Sequence, residues 1–187
     1  MKYVPLIGVT AVLAGNASAQ VVGFENFAPP GGLVNVNPTM PYHEAGFTFT
    51  PLNGSAAVFD SAAATDMPGN PTDFLGFADG NTITLTRDQG PPFNLVSVLI
   101  GRSTIAMGAT DITILGHLSG GGTLSMTFPG LNAATTATLN WTGLVDVQFT
   151  GTDDSAIDDV NLVPAPGAAA LFGLGWVAAF RRRRMDW

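Results

Sequence analysis

An all-β fold is what the chain predicts, from three observations. Apolar and polar residues alternate with period two in short runs. Gly, Pro, Asn and Asp fill the gaps between the runs, and no window carries a capped helical period. The runs are Phe47-Thr48-Phe49-Thr50, Thr82 to Thr86, Leu95 to Ile100, Ile112 to Leu115, Leu124 to Phe128, Thr136 to Trp141 and Leu144 to Phe149. Turns are expected at Asp79-Gly80-Asn81, Gln89-Gly90-Pro91-Pro92, Ser119 to Gly122 and Thr142-Gly143, where glycine or a turn-forming side chain lets the backbone reverse. Residues 29–44 and 61–74 are rich in Pro, Gly, Asn and Ala and read as long surface loops. Roughly seven to nine short strands at this spacing make an antiparallel β-sandwich, of jelly-roll type.

Both ends of the chain differ from this pattern. Lys2 gives a positive start, Val4 to Gly15 an apolar stretch, and Ala17-Ser18-Ala19 a small-residue cleavage site. Residues 1–19 therefore read as a signal peptide with a signal helix, and Gln20 as the first mature residue. At the other end, Val163-Pro164-Ala165-Pro166 leads into an uncharged apolar stretch from Gly167 to Phe180, expected as a helix. Arg181, Arg182, Arg183 and Arg184 follow. That length lies near the lower limit for spanning a bilayer, and an arginine cluster beside a span stays cytoplasmic. The chain divides into a signal peptide (1–19), a β-sandwich domain (20–162) and a sorting or membrane-anchor segment (163–187).

This C-terminal arrangement resembles the PEP-CTERM sorting signal of Gram-negative bacteria, in which a Val-Pro-Glu-Pro-like motif precedes an apolar helix and a basic cluster. The match covers residues 163–184 and shares both prolines, the helix and the arginines, with Ala165 where the family usually has Glu. The resemblance implies a secreted protein tethered transiently to the inner membrane and processed by an exosortase-like protease. It would then reach the cell surface or extracellular matrix, where such proteins accompany exopolysaccharide and biofilm. An uncleaved single-span anchor is the alternative.

Within 20–162, thirteen acidic residues stand against only two cations, Arg87 and Arg102. So acidic a surface repels phosphate backbones and makes nucleic acid an unsuitable partner. It suits divalent cations and solubility outside the cell. Cysteine is absent, which excludes disulfides, thiol nucleophiles and cysteine-ligated zinc. The densest acidic run is Asp153-Asp154-Ser155-Ala156-Ile157-Asp158-Asp159-Val160. Its carboxylates must be solvated, hydrogen-bonded or bridged by a cation such as Ca²⁺, and the spacing is not that of an EF-hand. Ile157 and Val160 bracket the second Asp pair and read as a last strand entering the core.

Gly23-Phe24-Glu25 near the start and Ile157-Asp158-Asp159-Val160 near the end resemble, more weakly, the terminal strands of carbohydrate-binding jelly-roll modules. In those modules the two strands are neighbours and often share a structural calcium. By that resemblance Glu25, with Asp158 or Asp159, would be metal ligands. Plain solvation of these acids is the competing reading.

Catalytic patterns are scarce. His43-Glu44 lacks the second histidine of a zinc-protease motif, and His117 falls in a strand run, where a surface or half-buried role is expected. No Gly-x-Ser-x-Gly elbow is present. Tyr42, after Pro41 in an expected loop, is the candidate exposed platform for stacking on a sugar ring, whereas Trp141 is assigned to the core. The combined expectation is an exported, non-enzymatic surface or matrix protein associated with extracellular polysaccharide. Two alternatives stand beside it: a glycan-active enzyme built on a carboxylate pair, and a passive structural protein that self-assembles through strand edges.

Overall fold

The computed structural model describes residues 18–164 apart from 63–66, 89–91 and 104–107. The expected signal helix and apolar C-terminal helix, with Ala165, Pro166 and Arg181 to Arg184, lie outside the described residues. Twelve strands make up the domain: β1 (Gln20–Val22), β2 (Leu33–Val36), β3 (Tyr42–Glu44), β4 (Phe47–Pro51), β5 (Ala56–Phe59) and β6 (Phe74–Phe77), then β7 (Thr82–Arg87), β8 (Phe93–Arg102), β9 (Thr110–Leu118), β10 (Thr123–Leu131), β11 (Thr135–Gly151) and β12 (Ser155–Pro164). All pairings are antiparallel, and no helix occurs among the described residues.

The sheet folds into the two layers of an antiparallel sandwich of jelly-roll kind. Layer A runs β2-β5-β6-β12-β8 and ends on the first half of β11, with β1 added to β12 beyond the short β6. Layer B runs β3-β4-β7, the second half of β11, β9 and β10. Alternation aims every second residue inward, the period-two signal that the sequence carries. Phe49, Ile83, Leu85, Ile112, Ile114, Val147 and Phe149 from layer B meet Val58, Leu75, Leu95, Ile100, Ile157 and Leu162 from layer A in one core, all fully buried.

β11 departs from expectation. Thr142-Gly143 was to be a hairpin turn between two strands, yet the strand is continuous for 17 residues. Residues Thr135 to Leu144 pair with β8, and Asp146 to Thr150 pair with β7 on one side and β9 on the other. Two register shifts against β8 fall within the first stretch, around Asn140 (φ 53°) and Gly143 (φ 72°). Glycine and asparagine supply the left-handed conformation that a bulge needs, so the turn chemistry bends the strand and does not reverse it. The expected loop 29–44 likewise contains β2 and β3, and β5 and β6 extend the count beyond nine strands. Their residues are too few, or too uniformly apolar, to show alternation: β6 is buried at all four positions. Val163 and Pro164, the first residues of the expected sorting segment, continue β12 opposite Asn94 and Phe93.

Trp141 is core, as assigned, and it lies over Gly116 of β9. A Cβ there would stand 2.6 Å from Leu144 Cδ2 and 3.0 Å from Trp141 Cε3. Gly116→Ala should therefore destabilise the fold by about 1–3 kcal/mol through overpacking. Gly120→Ala, which meets nothing within 4 Å, should change stability little. Urea unfolding of the two variants checks the contrast.

Candidate functional site

β1 and β12 are neighbours, with Val22 opposite Val160, as the resemblance implied. Gly23-Phe24-Glu25, however, follows β1 as a turn and is not part of it. Phe24 adopts φ 59° yet is fully buried, its ring 5.0 Å from Tyr42 and 5.2 Å from Phe49. A bulky residue in the left-handed region costs about 1–3 kcal/mol, which burial of a phenylalanine offsets.

Carboxylates hold this corner together by accepting from loop amides. Glu44 Oε2 accepts from Phe24 N–H at 3.2 Å and from the Tyr42 hydroxyl at 2.7 Å. Asp73 takes Asn26 N–H at 3.1 Å on one oxygen and Ser61 N–H at 3.0 Å on the other. Asp60 Oδ1 takes Gly31 N–H at 2.7 Å and Ala62 N–H at 2.9 Å. Glu25 lies exposed among these acids. Its pKa is raised, first by partial desolvation and then by the charges of Asp73, Asp159 and Glu44.

The structure separates the three expected metal ligands. Glu25 and Asp159 both border the open side of Gly23, where a Cβ would come 3.5 Å from Glu25 Cγ and 3.9 Å from Asp159 Oδ1. Asp158 is fully buried and its oxygens are taken: Oδ2 by the Asn70 amide and Thr72 hydroxyl, each at 2.8 Å, and Oδ1 by Asp159 N–H at 2.7 Å. Among the described residues, no three His, Asp or Glu side chains are arranged to hold a metal ion. Of the expected set, Glu25 and Asp159 are the pair whose carboxylates lie near one another on the exposed side of Gly23.

Asp158 anchors a strap. Met67 to Asp73 crosses the outer face of layer A, with Met67 buried on Gly101 and Ala156, and Pro68 C=O accepting from Ala134 N–H at 2.7 Å. The Thr72 hydroxyl has one proton but two acceptors in reach, Asp158 Oδ2 and Asn70 Oδ1 at 2.6 Å. A protonated Asp158 resolves this, donating to Thr72 Oγ1 while Thr72 donates to Asn70. Burial pushes the Asp158 carboxyl up to about 7, against the three hydrogen bonds that favour its charged form.

Two hollows flank the strap on the same face. One, of about 190 Å³, is lined by Leu33, Asn35, Ser55, Phe59, Ser103 and Asp154 with the small residues of β5 and β6 as its floor. Opposite residues Ala57 and Gly76 keep that floor low, and Phe59 leans over Gly76 while stacking on Phe74 at 5.3 Å. Ser103 is 1% exposed and its hydroxyl has no hydrogen-bond partner among the described residues. Burial, then the neighbouring Asp153 charge, raises the pKa of Asp154. The second hollow, of about 360 Å³, lies among Val21, Ser97, Leu99, Thr136, Asp159 and Asn161.

Tyr42, expected as an exposed platform, is a corrected assignment. It lies in β3 with only 4% of its surface exposed, because its ring fills the space between Phe24, Phe27 and Phe49. Burial and the Glu44 carboxylate raise the pKa of its hydroxyl. His117 is half-buried, Nδ1 to Asp146 Oδ1 at 2.6 Å on the outer face of layer B. Sequence reading missed a second constellation on that layer, in which Thr48 Oγ1 lies 2.7 Å from His43 Nδ1 and donates to Asp88. Its members are exposed and line neither hollow.

No family model and no curated protein matches the sequence. Among solved structures, the chain is similar to a point mutant of a family 29 carbohydrate-binding module (TM-score 0.40, 15% identity, 82% of this chain and 96% of that one). It is also similar to a family 6 carbohydrate-binding module (TM-score 0.32, 17% identity, 70% and 91% of the two chains). A third likeness is to the enzymatically active domain of tailspike protein 4 of bacteriophage CBA120 (TM-score 0.32, 12% identity), where 64% of this chain meets 20% of that one.

Because the folded pKa of Asp158 exceeds its unfolded value, the folded state binds the extra proton. Stability from this group is therefore greatest below about pH 4 and falls as pH rises to about 7. The melting temperature should decline over that window. Asp158→Asn should lower stability at pH 5 by about 1–3 kcal/mol, since its amide nitrogen can donate to Thr72 but cannot accept from the Asn70 amide, while flattening the slope between pH 5 and 8. A slope unchanged in Asp158→Asn would assign the pH dependence to other groups.

Proposed function

We propose that the chain is a non-catalytic, glycan-binding β-sandwich of the bacterial cell surface, and that it holds neutral polysaccharide in the hollow beside Phe59. One observation carries this reading: an aromatic ring, a buried hydroxyl without a partner among the described residues and a carboxyl converge on a pocket floored by small residues. A sugar ring presents apolar C–H faces and polar hydroxyl edges, so it needs a flat apolar wall with a few fixed donors and acceptors. Phe59 supplies the wall. Asn35, Ser55, Ser103 and Asp154 supply the polar groups. Asp154, in a domain with thirteen acids and two arginines, selects against uronate or sulfated polymers.

Export through residues 1–19 and sorting through Val163 to Arg184 belong to the same proposal. So do exosortase-type processing and the extracellular matrix as destination. We also assign calcium to the Glu25–Asp159 pair. With only two charged ligands its affinity falls near the millimolar end of calcium sites, and it acts structurally. Calcium should raise the melting temperature of the wild type and not of Asp159→Asn.

Binding is tested by affinity electrophoresis of the full chain in gels containing neutral glucans, mannans or an acidic uronan. The neutral polymers should retard the protein, and Phe59→Ala should weaken that interaction about tenfold, equivalent to roughly 1.4 kcal/mol. Retardation by uronan alone, or by nothing, would overturn the reading. Intact mass of protein from a native host should begin at Gln20 and lack Arg181 to Arg184. A mass that retains the arginines leaves an uncleaved anchor.

A further inference from the structure

We infer that β10 is a self-association edge, through which two copies of this chain join their layer B sheets antiparallel about a two-fold axis at Met126. The inference does not depend on the glycan reading.

Among the described residues β10 pairs only with β9, so the backbone groups of its other side have no ladder partner. Sheets are ordinarily protected at such edges by short strands, charge or proline. β1, β2 and β3 follow this rule, with three, four and three residues. β10 does not. It runs for nine residues, most of them exposed, contains no charged side chain, and has Pro129 only near its far end.

The second copy is favoured over another partner by two features. The first is charge. The domain carries thirteen acids against two arginines, so two copies repel over most orientations; from Leu118 to Val145 there is no ionisable side chain. β10 itself brings no charge to such a contact, and Asp111, at its far end, is held by Gly130 N–H at 2.7 Å. The second is self-complementarity. Leu124, Met126 and Phe128 share the inward face, opposite Gly116, Ile114 and Ile112. Leu124 and Phe128 lean on the core, while Met126 remains 40% exposed at the open rim of the sandwich. A two-fold axis at Met126 sets Leu124 against Phe128 of the second copy and Met126 against its own equivalent. That covers the exposed thioether and adds an apolar row to both cores. On the other face Ser125 meets Thr127 of the second copy, which continues the threonine contact between Thr113 and Thr127 at 2.9 Å.

The absence of cysteine makes the test direct. Opposed residues on antiparallel strands have Cα atoms roughly 4.5–5.5 Å apart, within disulfide reach. Full-chain Met126→Cys under mild oxidation should run as a disulfide dimer, in a fraction that rises with protein concentration. Leu52→Cys, on a turn with 50% exposure, should stay monomeric. A monomeric Met126→Cys, or equal cross-linking of both variants, would overturn the proposal. In a second measurement, Met126→Lys should lower the dimer fraction of the full chain in sedimentation at least tenfold. No change there would place self-association elsewhere on the molecule.

Discussion

A strand of 17 residues spans roughly 55 Å at about 3.3 Å per residue, longer than one layer of a small sandwich can use. β11 meets that constraint by changing layers. Asn140 and Gly143 take left-handed conformations, the register against β8 slips twice, and the strand emerges between β7 and β9. The other pairings depend on this crossing. It fixes which strands of layer A lie over which strands of layer B, and it brings Trp141 and Leu144 onto Gly116 at the point where the layers join. It also leaves β9 and β10 as an extension of layer B that layer A covers only in part, which is why Met126 is exposed on an inward face.

Carboxylates do a second structural job. In a domain so acidic, one expects most of them to be solvated, and several are not. Asp60, Asp73 and Glu44 accept backbone N–H groups from loops far away in sequence, and Asp158 holds the strap from beneath. A carboxylate offers two oxygens and about four lone pairs, enough to satisfy two loop amides at once where a hydroxyl would satisfy fewer. The acidic composition is thus partly an answer to long loops whose backbone donors need partners. The exposed acids, Glu25 and Asp159 among them, remain for solubility and for cations.

Legibility in the sequence followed the length of each element. β7, β8, β9 and β10, with the two halves of β11, carry enough alternation to be read directly, and Trp141 follows from its place in a run. β2, β3, β5 and β6 are three or four residues long, below the length at which period two is distinguishable from chance. Thr142-Gly143 shows the limit of turn chemistry: the same left-handed glycine serves a reversal or a bulge, and only the pairing partners decide. Tyr42 was misplaced because a Pro-rich neighbourhood hid a three-residue strand and the aromatic cluster behind it. The Phe59 hollow was not legible at all. Its parts come from β2, β5, β6 and the ends of β8 and β12, and no local pattern links Asn35 to Ser103 or Asp154.

The loops of this domain are fastened without a covalent bond. Its cross-links are hydrogen bonds between carboxylates and distant amides, closing spans of 47 residues from Asn26 to Asp73 and 88 from Asn70 to Asp158. Disulfides closing comparable spans would require an oxidant and time to reshuffle from wrong pairings, over seconds to hours. These fastenings break and re-form at the rate of local chain motion and have no wrong covalent partner. A chain fastened in this way can regain its native loops with no redox catalyst, and regain them again after each later unfolding.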